Sequence, residues 1–238
     1  MVPITWIPRV AGVHGSGACH PVAVTTHLWV LAVALGVTAL INWGSVVRGD
    51  VLVERLTKPL FILLLMGLAW SLDWEGKAPG APPLLPVMVA LALSLVGDIA
   101  LLNATAGRFL VGLGAFLLAH VAYVWAILGT AGVGGFPWWL LVVLPGVVLL
   151  HATVGREIVR HAGSQRGAVL LYQLALFTLL VAAAWKGDWV VLLGCALFTA
   201  SDTVLGHDRF VVERRWAPLT VIVTYHLAQV LIVVGLFR

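Results

Sequence analysis

Charge is scarce in this chain. Only 10% of its 238 residues are Asp, Glu, Lys or Arg, 61% are hydrophobic, and the mean hydropathy is +1.06. That excludes a soluble globular domain of this size, which needs a charged surface, and leaves a membrane protein with almost no extramembrane domain. Cysteine is nearly missing as well. The two present, Cys19 and Cys195, sit in an N-terminal arm and in an apolar run, so no disulfide framework is expected. HExxH, CxxC, GxSxG and a glycine-rich phosphate loop are all lacking. Metalloprotease, serine-hydrolase and nucleotide-binding readings therefore lose their support. His14, His20 and His27 are too irregularly spaced to suggest a metal site, and neither a metal nor an organic cofactor is expected. Residues 1–27 lack a basic start followed by a continuous apolar core, so they do not read as a signal peptide. They are expected to form an irregular non-cytoplasmic arm ahead of a membrane domain over 28–238.

What is present is long apolar runs. A crossing needs about 20 residues. Eight such segments fit, near 28–47, 54–73, 84–103, 108–128, 136–154, 168–185, 188–206 and 218–237. The fold class is therefore an all-α polytopic bundle of about eight transmembrane helices. The second span is the weakest. Its uncharged core runs only from Pro59 to Leu72, so Lys58 must snorkel or the helix must extend back through Leu52–Thr57. Alternating the spans puts Arg9, Lys77, Lys186 and Arg238 on the side of the N-terminus. The other side receives Arg48, Arg55, Lys58, Arg108, Arg156, Arg160, Arg166, Arg209, Arg214 and Arg215. Four against ten makes the second side cytoplasmic and both termini external. The expected location is a cell membrane, the inner one in a bacterial host. Most of these basic residues read as topology and lipid contacts, and nothing points to nucleic acid. The paired Trp138 and Trp139, with Trp185 and Trp189, fit an aromatic belt at the outer interface.

Two aspartates interrupt the apolar runs: Asp98 in LSLVGDIALL and Asp202 in LGCALFTASDTVLG. A carboxyl within a span costs roughly 2.5–3.5 kcal/mol on insertion scales, so such residues are usually functional or paired. A carboxyl in an apolar setting can also persist as the neutral acid, which is a usable proton donor near neutral pH. Counting from the expected helix ends places both aspartates roughly 6–8 Å below the cytoplasmic side at 1.5 Å per residue. Lys58, Tyr172, Gln173, Tyr225, His226 and Gln229 fall in the same half, with His120 near the midplane and Tyr123 one turn on. One polar cavity open to the cytoplasm is expected. A faint repeat adds to this. Asp98, Arg108-Phe109 and His120 are echoed by Asp202, Arg209-Phe210 and His226. That spacing suggests two parallel four-helix halves related by an axis along the membrane normal, with the aspartates facing each other across it.

Bland readings compete at each position. Ser94 and Ser201 beside the aspartates fit helix-packing hydroxyls, Lys58-Pro59 fits either a helix start with a snorkelling lysine or a cation that meets an aspartate or a lipid phosphate, and His226 fits a structural role. Asn42, His151 and Lys186 read as packing or boundary residues.

The segments TKPL at 57–60, LSLVGDIALL at 93–102, FLVGLGAFLLAHVAYV at 109–124, SDTVLGHDRF at 201–210 and TYHLAQVLI at 224–232 resemble the YhhN family of integral membrane proteins. The resemblance covers residues 30–236. It implies eight helices and hydrolysis of the vinyl-ether bond of a lysoplasmalogen, releasing a fatty aldehyde and a glycerophospho-headgroup. It also implies a polar set of Lys58, Ser94, Asp98, His120, Tyr123, Ser201, Asp202, Tyr225 and Gln229. Asp98 and Asp202 would be catalytic and the rest, with Tyr172, substrate-binding, while Arg108, Arg209 and Lys58 would meet the headgroup of a lysophospholipid drawn from the surrounding membrane lipid. Two carboxyls with separated proton affinities suit acid/base chemistry at an ether bond. The alternatives are a lipid or proton-coupled transporter with the aspartates as proton sites, and an intramembrane aspartyl protease. The second is disfavoured because Asp202 follows Ser201 rather than a tyrosine.

Overall fold

A computed structural model describes residues 26–75, 78–102, 105–130 and 137–238. Arg9, Cys19, Lys77 and the arm up to residue 25 lie outside the described residues. Thr26 and His27, assigned to the arm from sequence, instead open the first helix.

The described residues form α-helices joined by short turns, with no strand among them. The helices are α1 (Thr26–Arg48), α2 (Val51–Trp74), α3 (Leu84–Leu101), α4 (Ala106–Leu128), α5 (Leu140–Leu150), α6 (Arg156–His161), α7 (Arg166–Lys186), α8 (Trp189–Phe210) and α9 (Ala217–Phe237). A π turn, His151–Gly155, joins α5 to α6, so Leu140–His161 is one rod of 22 residues. Eight rods result, and seven are apolar enough to cross a membrane by length and composition. The eighth is α2, which carries Glu54, Arg55, Lys58 and Asp73. It begins at Val51, so Pro59 lies inside the helix and not at its start. The Asp50 carboxylate caps it by accepting from the Val53 N–H at 3.2 Å. Asp188 caps α8 in the same way through Val190 and Val191. Gly187, at φ 78°, ends α7 in the left-handed conformation that glycine adopts without strain.

Two hairpins dominate the packing, α3 with α4 and α8 with α9. Each is drawn together at glycines. A Cβ on Gly97 would stand 2.6 Å from the Phe116 ring, and one on Gly194 would stand 2.9 Å from the Ile232 nitrogen. Without water to drive association, such close backbone approach supplies the van der Waals contact that holds membrane helices together. Between the hairpins α4 packs on α7, and α1 and α2 pack on α9. The exception is α5, which buries none of its residues.

One end of the bundle is tied by Ala78 N–H to Phe237 O at 3.2 Å, Lys186 Nζ to Thr130 Oγ1 at 3.0 Å, and Arg238 to Asp188 at 2.8 Å. The opposite end is tied by Arg214 to His207 at 2.6 Å, His207 to Glu157 at 3.6 Å, and the Arg209 guanidinium over Phe109 at 5.1 Å. This second end carries the ten basic residues that the sequence places on one side. Reporter fusions at Arg238 are expected to report an external C-terminus, as the basic bias requires. Activity of cytoplasm-specific reporters there would reverse the orientation.

Candidate active site

The bundle interior holds two polar clusters, one around each aspartate. Asp98 on α3 is 1% exposed. Its Oδ2 accepts from the Tyr225 hydroxyl at 2.8 Å, and its Oδ1 lies 3.3 Å from Lys58 Nζ. Lys58 is thus a partner of Asp98 and does not snorkel, with its side chain 14% exposed. Behind Tyr225 the chain of donors continues. Gln229 Nε2 donates to the Tyr225 oxygen at 3.2 Å, and the Tyr123 hydroxyl donates to Gln229 Oε1. Tyr225 and Gln229 share a face because they are one turn apart on α9.

Asp202 on α8 forms the second cluster. The Tyr172 hydroxyl of α7 donates to its Oδ2, and His120 Nε2 of α4 lies 3.8 Å from the same oxygen. The extension of α8 to Phe210 seats Asp202 eight residues before the helix end. That is about 12 Å along the helix from its end. Phe198, one turn earlier on α8, separates the clusters, its ring 4.6 Å from His120 and 5.4 Å from Tyr225. Each aspartate is reached by the second helix of the other hairpin: Asp98 of α3 by Tyr225 of α9, Asp202 of α8 by His120 of α4. This crossed pattern is the one that two halves related by a two-fold axis would give.

A cavity of about 700 Å³ opens beside Asp202, within the 300–1,000 Å³ usual for small-molecule sites. It lies between the α5–α6 rod, α7, α8 and the basic ends of α3 and α4. Its walls are mostly apolar, which corrects the expectation of a polar cavity. Lys58, Tyr225, Gln229 and Tyr123 pair around Asp98 and Tyr172 pairs with Asp202 inside the bundle, and only a few polar side chains reach the void. Asp202 and Tyr172 line it, and Asp98 does not.

The remaining expected residues separate clearly. Ser201 donates to the Val221 carbonyl at 2.9 Å and so ties α8 to α9. Ser94 is buried beside Asp98, outside the cavity wall. Arg108 and Arg209 are exposed at the basic end, and the ring under Arg209, Phe109, lines the cavity there. His226 accepts from Trp43 Nε1 at 3.1 Å and stacks on Phe61 at 3.8 Å, a packing role. Asn42 donates to Thr57 Oγ1 at 2.8 Å, joining α1 to α2. His151, read as a packing residue, lines the cavity at the π turn. Among the described residues no group of three His, Cys, Asp or Glu side chains is arranged to hold a metal ion.

The YhhN family model matches residues 53–236, most of the chain and every residue of both clusters. This chain belongs to the YhhN family. As a YhhN protein it is also similar to lysoplasmalogenase TMEM86B of several mammals. Identity to the Homo sapiens protein is 32% over 190 residues, covering 77% of this chain and 75% of that one. Identity to the Sus scrofa protein is 37% over 153 residues, covering 60% and 59%. The Mus musculus protein is 32% identical over 196 residues, covering 78% and 76%. No solved structure matches. One feature of this YhhN site escapes sequence reasoning, the π turn, while Gln173, expected with Tyr172 in the cavity half, does line the cavity. A π turn differs from an α-turn by a single residue and leaves no compositional mark. Gln173 is visible as a polar residue in a span, but the wall it faces is set by the rod opposite.

Proposed function

We propose that this protein hydrolyses the vinyl-ether bond of lysoplasmalogens, with Asp98 and Asp202 supplying the acid/base chemistry. The observation that carries this reading is the apolar, lipid-sized cavity with one carboxyl, Asp202, in its wall and a second just behind. The relatives named lysoplasmalogenase support it. An alkenyl chain would lie in the apolar void, with the glycerophospho-headgroup toward Arg108 and Arg209 at the basic end. Tyr172 and His120 both approach Oδ2 of Asp202, which leaves Oδ1 to deliver a proton to the β-carbon of the vinyl ether. The C=C electron pair takes that proton and the α-carbon becomes an oxocarbenium ion. The Asp98 carboxyl, held by Lys58 and Tyr225, would act electrostatically on that cation. Water then adds at the α-carbon, returning a proton to Asp202. The hemiacetal collapses by breaking the bond to the glycerol oxygen, which leaves with a proton as the alcohol while the aldehyde departs.

The test is to incubate purified protein in detergent with a panel of vinyl-ether and ester lysolipids and to assay both aldehyde and free fatty acid. Aldehyde from the vinyl-ether lipids alone is expected. A protein that binds these lipids and releases neither product is a transporter or carrier.

A further inference from the structure

Gln173 lines the cavity and carries a buried, unpartnered acceptor. Its Nε2 donates to the Gly155 carbonyl of the π turn at 3.1 Å. A carbonyl can only accept, so this bond fixes which way round the amide sits. Oε1 also lies against the π turn, beside Gly155 and His151 Nδ1, buried and without a hydrogen-bond partner. A buried acceptor left without a donor carries the full cost of its lost hydration, so such a site favours a ligand that brings an O–H or N–H. The threonine hydroxyls of the cavity wall are already committed. Thr199 donates to the Cys195 carbonyl at 2.9 Å, and Thr203 donates to the Thr199 carbonyl at 2.7 Å. The space is also reserved, because a Cβ on Gly155 would stand 3.2 Å from Oε1.

Gln173 is at the right depth to read the substrate. It lies seven residues into α7, Gly155 six before the end of α6, and Asp202 eight before the end of α8. At 1.5 Å per residue, all three sit about 9–12 Å below the same end of the bundle. In a lysoplasmalogen the free hydroxyl at the second glycerol carbon is only a few bonds from the vinyl ether. With the vinyl ether at Asp202, that hydroxyl falls within the zone facing the π turn.

We propose that Gln173 Oε1, oriented by the Gly155 carbonyl, accepts the free second-position hydroxyl and so selects lysolipids over lipids lacking that proton. This rests on the hydrolase reading and adds a specificity residue to it. The experiment compares three vinyl-ether lipids with the same ethanolamine headgroup: the second-position alcohol, its deoxy analogue and its O-methyl ether. The wild-type protein is expected to prefer the alcohol over both analogues by about tenfold or more in kcat/KM, as sites built to bond a hydroxyl do. Gln173→Met, which keeps length without the amide, is expected to bring that ratio close to one. Gly155→Ala, which crowds Oε1 but leaves the amide, is expected to shrink it as well, and it carries the test with the wild-type ratio if Gln173→Met does not fold. A general structural weakening would lower all three rates together and leave the ratio intact. Equal wild-type rates on the three lipids, or a ratio that survives the substitutions, overturns the assignment while leaving the hydrolase standing. No aldehyde from any of the three overturns the hydrolase reading and this assignment with it.

Discussion

Asp202→Asn is expected to abolish aldehyde release, and Asp98→Asn to do the same, while both proteins still insert and fold. Asparagine keeps the size of the side chain, and its carbonyl oxygen can still accept from Tyr172 at position 202 or from Tyr225 at position 98. What it loses at position 202 is the ability to give and take the proton, and at position 98 the negative charge that acts on the oxocarbenium ion. Loss of a general acid costs about 10²–10⁴ in rate. If the two carboxyls act as a unit, the double variant should be little slower than either single one. His120→Gln and Tyr225→Phe should be milder, because each touches an aspartate without lying in the cavity wall. The measurement is aldehyde release by purified variants whose size-exclusion profile matches the wild type. Retention by either Asn variant of more than about a tenth of wild-type turnover is incompatible with the general-acid estimate and removes the two-aspartate mechanism.

The second large effect is on stability. Lys58→Met should destabilise the protein by about 3 kcal/mol, the lower end of the range for breaking a buried ion pair. Asp98 is 1% exposed, and Lys58 Nζ at 3.3 Å is its cation. Methionine fills the space of the lysine stem but leaves the carboxyl without that charge, and the carboxyl can limit the damage only by taking up a proton. Lys58→Met combined with Asp98→Asn should recover much of the loss, since the stranded group is then neutral. Thermal unfolding in detergent of the four proteins in this cycle measures the coupling. A Lys58→Met protein as stable as wild type, or a double variant no better than Lys58→Met alone, means that the pair at 3.3 Å contributes nothing. Removing Lys58 should also slow turnover by releasing the carboxyl that Tyr225 and Lys58 hold together.

Much of this architecture is legible in the chain because a bilayer imposes a single strong rule on composition. Apolar runs of sufficient length mark seven of the rods, and α2, the exception, is the one with four charged residues in its span. The aspartates are equally legible, since nothing apolar requires a carboxyl there. Partnerships are harder. That Lys58 meets Asp98 across helices, or that Tyr225 serves the aspartate of the other hairpin, depends on helix rotation and tilt, which spacing along one helix does not specify. Ser94 and Ser201 look alike in sequence. Only packing shows that Ser201 spends its hydroxyl on the Val221 carbonyl. Length also misleads at α8, whose last turn, through His207 and Arg209, is too polar to read as span yet continues the helix.

The light packing of α5 has a consequence for how rates should be expressed. One side of the cavity is formed by a rod whose first half buries none of its residues in the protein and lies against hydrocarbon. On the proposed mechanism the substrate is itself a component of that hydrocarbon phase, so the medium that feeds the cavity is two-dimensional. Turnover should then follow the mole fraction of lysolipid in the micelle or bilayer and fall on dilution with inert detergent at constant bulk substrate. A KM quoted in moles per litre would describe the sample tube and not the enzyme.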